Sequence, residues 1–87
     1  MASTERIIKL LDELHRFALK GPDSLLGDAE LRQVGVLRKQ IRNEIAVLQA
    51  TSSIDYDLKS QIIAAIDVEM TSTRAAAAIE AVIKTLK

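Results

Sequence analysis

Residues 54–86 read IDYDLKSQIIAAIDVEMTSTRAAAAIEAVIKTL, a run with neither glycine nor proline. Nothing in it is a strong helix breaker, so it predicts one continuous helix of about 50 Å. Apolar residues recur at helical spacing in both halves: Leu58, Ile62, Ala65, Ile66 and Met70, then Ala75, Ile79, Val82, Ile83 and Leu86. At 100° per residue these two stripes centre about 120° apart. The drift of a seven-residue repeat over the two intervening heptads explains only about 45° of that. The remainder calls for a kink, which Thr71-Ser72-Thr73 is placed to supply, or for a second partner. Two or three residues are barely enough to reverse a helix, because helix–helix connections run to about two to eight.

Working outward, Thr51-Ser52-Ser53 ends the preceding pattern, and Ser52 with Asp55 three residues on is an acidic variant of the capping box. A second helix is expected over 28–50, capped by Asp28, with Leu31, Val34, Leu37, Ile41, Ile45 and Leu48 on its buried face. Gly35 inside it costs about 1 kcal/mol relative to Ala; close approach by another helix is the plain reason for it. A first helix over 3–20 starts at Ser3 or Thr4 and buries Ile7, Leu11, Leu14 and Ala18, widened by Leu10 and Phe17. Lys20-Gly21-Pro22 stops it, with Gly21 suited to a left-handed cap. Leu25 and Leu26, in the connection that follows, are expected to plug the end of the core. The fold class is all-α: one domain over 1–87, a small antiparallel bundle of three helices (3–20, 28–50, 54–86), the last long and kinked near 71–73.

Composition narrows the function. Twelve basic and twelve acidic side chains cancel, so no strong field draws the chain to nucleic acid or an anionic membrane. Charges interrupt every apolar run well short of the roughly 18 residues a membrane span needs, and the N-terminal charges do not fit a signal peptide. A cytoplasmic setting is expected. The absence of cysteine rules out disulfides and thiolate chemistry. His15 has only Asp12 near it, a poor start on the three or four ligands zinc takes. No phosphate-cradling glycine loop, nucleophile elbow or paired carboxylate is present. A non-enzyme without metal or cofactor is the expectation.

Two short stretches resemble known families. Leu19-Lys20-Gly21 is similar to the end of the phosphoacceptor motif of histidine phosphotransfer domains, but Phe17 stands where that family has its phosphorylated histidine. Asp23-Ser24-Leu25, followed by Glu30-Leu31, resembles the phosphopantetheine attachment motif of acyl carrier proteins, and residues 73–83 resemble their last helix. That resemblance implies a carrier modified on Ser24. The connection before Ser24 is much shorter than in carriers, the helix after it is longer, and the family's acidity is missing. Arg32, Arg38, Lys39 and Arg42 form a basic flank without interleaved aromatics, a weak nucleic-acid signal; pairing with Asp55, Asp57, Asp67 and Glu69 is the plainer expectation.

What remains is apolar helical surface. A hairpin of the first two helices covers about two-thirds of a 50 Å helix, leaving 75–86 overhanging. Ala75, Ala76, Ile79, Val82, Ile83 and Leu86 are therefore the expected partner-binding residues. The expected function is a protein–protein interaction module, an adaptor, co-chaperone or regulatory subunit that self-associates or packs against a partner helix.

Overall fold

The computed structural model describes residues 4–21 and 26–87 and is all-helical, with no strand among the described residues. It has four helices rather than three: α1 (Glu5–Lys20), α2 (Asp28–Ala50), α3 (Tyr56–Ile66) and α4 (Arg74–Leu86). The expected long helix is cut in two by a turn over 67–73, and α3 and α4 pack on one another across it. The mismatch between the two apolar stripes is thus a change of direction, not a kink.

The stop after α3 comes from α2. The last carbonyls of a helix lack intrahelical donors and need partners from elsewhere. Arg38 Nε donates to the Ile66 carbonyl at 2.7 Å, and its Nη2 donates to the Val68 carbonyl at 3.0 Å. One turn further along α2, Arg42 Nη2 meets Asp67 Oδ1 at 2.6 Å. A planar, always-charged fork suits this bridging task. Inside the turn, Ser72 N–H donates to the Glu69 carbonyl at 2.9 Å, and Ser72 Oγ accepts from Arg74 N–H at 3.2 Å, which opens α4.

The other ends also differ from expectation. Thr4 makes no side-chain cap, and Ser3 lies outside the described residues. α2 is preceded by Gly27, whose N–H reaches Glu30 Oε1 at 3.4 Å, while Asp28 sits inside the first turn. α2 closes in a Schellman motif: Ser53 N–H donates to the Leu48 carbonyl, Ser52 N–H to that of Gln49, and Ser52 takes the left-handed conformation at φ 59°. Asp55, not Ser52, caps α3, accepting from Leu58 N–H at 2.8 Å. Gly21 is right-handed, at φ −54°. Its value is space, because a Cβ built there would sit 1.6 Å from the Met70 carbonyl oxygen.

One contiguous core runs through all four helices. Ile7, Leu11, Leu14 and Ala18 line the inner face of α1, which packs against both α2 and α4. Val34, Leu37, Ile41, Ile45 and Leu48 enter from α2, as their spacing predicts. Ile54 and Met70 are buried just outside helices. Leu26 packs half-buried against the core, whereas Leu25 is outside the described residues. No described helix is long and apolar enough to cross a membrane.

Candidate functional site

The expected binding stripe is interior. Ala75 and Ile79 are fully buried, Val82 and Ile83 nearly so, and Ala76 and Leu86 pack half-buried against the core. The reasoning from overhang fails because the chain reverses at 67–73, which lays α4 on α1 instead of projecting it past the bundle. Burial of three such aliphatic side chains stabilises the fold by about 1.5–3 kcal/mol each. In the folded chain only Ala76 and Leu86 of this stripe keep part of their surface open.

Large apolar side chains are exposed at Leu19 of α1, at Leu31, Val36 and Val47 of α2, and at Tyr56 of α3. Val36 and Val47 lie eleven residues apart, three helical turns, and so fall on one line along α2; Leu31, about 140° round the helix from Val36, lies on another. Gly35 lies one turn from Leu31. It was expected to mark a close helix contact, yet a Cβ built there meets nothing within 4 Å, and its φ is not positive. Nothing in the monomer requires glycine at this place. Gly35 rims a shallow groove of about 280 Å³, walled by Leu31, Val34 and Arg38 of α2 and by Asp67, Glu69, Met70 and Thr71 of the turn. Arg38 and Asp67, which take part in holding the reversal after α3, also line this groove. A second hollow of about 300 Å³ lies between α1 and α2, lined by Glu13, Arg16, Phe17, Lys20 and Gln33.

The remaining candidates are not brought together. His15 is half-buried and forms no hydrogen bond or ion pair with Asp12. Among the described residues no group of three or more His, Asp or Glu side chains comes together to hold a metal ion. Ser24 lies outside the described residues. The basic flank divides: Arg42 pairs with Asp67 as expected, Arg38 serves backbone carbonyls, and Arg32 and Lys39 are exposed. The 3.6-residue spacing places Leu31 in the core, yet it stands about half exposed at the groove wall, so the groove is not legible in the periodicity; the exposed Gly35 inside α2 is its one sequence signal. No family model, no curated protein and no solved structure matches this chain.

Proposed function

We propose that this chain is a non-catalytic protein–protein interaction module that binds an apolar helical segment of a partner in the groove where α2 meets the 67–73 turn. The observation that carries the reading is Gly35. A glycine in a helix interior weakens the helix by about 1 kcal/mol relative to Ala, and here neither backbone conformation nor a neighbour within the chain demands it. Removing a side chain at that point opens the groove beside Leu31, which suits close approach by a second helix. Leu31, about half exposed at the groove wall, supplies the apolar anchor.

The test compares wild type with the Leu31→Asp variant, both isolated from their own cells at moderate salt. Leu31 is about half exposed, so far-UV circular dichroism and melting temperature should stay close to wild type, as for most surface substitutions. Native mass spectrometry should show a noncovalent companion on wild type and its loss from the variant. Identical masses and companions for the two proteins would remove this groove as the binding site.

A further inference from the structure

The turn over 67–73 has its own bonds around Ser72 but is also held from outside, by Arg38 and Arg42 of α2. It contains no glycine or proline, and Ser52 is the one described residue outside glycine with positive φ. No left-handed residue therefore stands in the way of straightening it. What prevents a continuous helix is competition for acceptors. In an uninterrupted helix the Ile66 carbonyl would receive Met70 N–H, and the Val68 carbonyl would receive Ser72 N–H. Arg38 occupies both of those carbonyls, and Ser72 N–H has turned to Glu69. Gly21 adds a second hold, since the Met70 carbonyl lies where a Cβ would be.

We infer that α4 exchanges between two copies of this chain. The turn straightens, α3 and α4 become one helix, and the Ala75, Ile79, Val82 and Ile83 stripe of each copy docks on α1 of the other. A straight helix over 56–86 is about 46 Å long, more than the 39 Å longest extent of the folded monomer. Its far half then has nothing in its own chain to cover it. A second copy presents the same α1 face, so every buried contact of α4 is re-formed between chains while the turn gains helical hydrogen bonds. Exchange of an identical element in this way is a low-cost route to a dimer. The inference does not depend on the groove beside Gly35: Glu69 and Thr71 line that groove, but the dimer is read on the isolated chain, with no partner present.

The test raises the helix propensity of the turn without touching the clamp. Thr71 and Thr73 are exposed, and Thr73 makes no side-chain cap. Thr71→Ala with Thr73→Ala should favour the straight form in both chains and raise the dimerisation constant about thirtyfold, read by sedimentation over a concentration series after refolding from urea. Glu69→Pro, which cannot continue a helix, should abolish the dimer. Because the chain lacks cysteine, spin labels at Ser60→Cys and Ala81→Cys report geometry within one chain when labelled protein is diluted into unlabelled. The dimer should place the labelled backbone positions about 32 Å apart along a single helix, against the short separation of neighbouring helices, with axes about 10 Å apart, in the monomer. A folded Thr71→Ala, Thr73→Ala protein that stays monomeric at every concentration would overturn the inference. So would a dimer whose label separation equals that of the monomer.

Discussion

Two positions show how the same residue type is wanted or unwanted for different physical reasons. Ser52 occupies the left-handed place in the Schellman motif after α2, a conformation that costs a residue with a Cβ about 1–2 kcal/mol. Glycine is free of that cost but loses more entropy on folding. Ser52→Gly should therefore stabilise by about 0.5–1 kcal/mol, a rise of a few degrees in melting temperature by calorimetry. Gly21 is the reverse case. Its backbone is helical, so alanine is conformationally acceptable, but the new methyl collides with the Met70 carbonyl at 1.6 Å. Gly21→Ala should cost about 1–3 kcal/mol, typical of overpacking against a site that yields only partly. The sequence marks Gly21 as a helix stop; that it is also a point of contact with a turn 49 positions later is tertiary information.

For the helices, periodicity read the buried faces well and the boundaries of the long segment poorly. Apart from Leu31, which is about half exposed, and the half-buried Leu58 and Leu86, the core positions of α1 and α2, and of each half of 54–86, follow their 3.6-residue spacing into the interior. The 120° offset between the two apolar stripes is the visible sign of a break. Its size was compatible with a kink, and no residue between them is a breaker. The decisive stop signal is Arg38, which lies 28 residues before the carbonyl it caps, beyond the reach of any local pattern. The same omission makes 75–86 an expected open stripe, since a helix that does not turn back must overhang. Burial now assigns that stripe a different mutational outcome. Ile79→Asp with Val82→Asp places two carboxylates in the core, each far costlier than the usual substitution. The double variant should lose its far-UV helical signal at 25 °C in dilute buffer, rather than remain folded and merely lose a partner. A folded, helical double variant would show that α4 does not need its seat on α1.

At the level of the whole molecule, the radius of gyration of 12.5 Å is close to the roughly 12 Å expected for a compact chain of this length. All four helices share one core, with α1 packed on both α2 and α4. Such an arrangement has no helix pair that can leave without exposing the rest. Urea unfolding should accordingly be a single transition, with a slope of about 1 kcal/mol per molar. Far-UV circular dichroism and the NMR signals of α2 and α4 should share one midpoint; separate midpoints for those two helices would divide the core. The four ion pairs among the described residues are mostly exposed, so raising salt to 1 M should shift that midpoint little.

The long-range origin of the stop after α3 also orders events in time. Synthesis runs from N- to C-terminus at about 5–20 residues per second, so Arg38 leaves the ribosome seconds before the Ile66 carbonyl it will hold. Helices form in about a microsecond. Each nascent chain thus carries a waiting guanidinium when its last third emerges, and the reversal is imposed as 67–73 appears. A synthetic peptide of residues 54–86 has no such predecessor, and it inherits the straight-helix tendency of its own sequence.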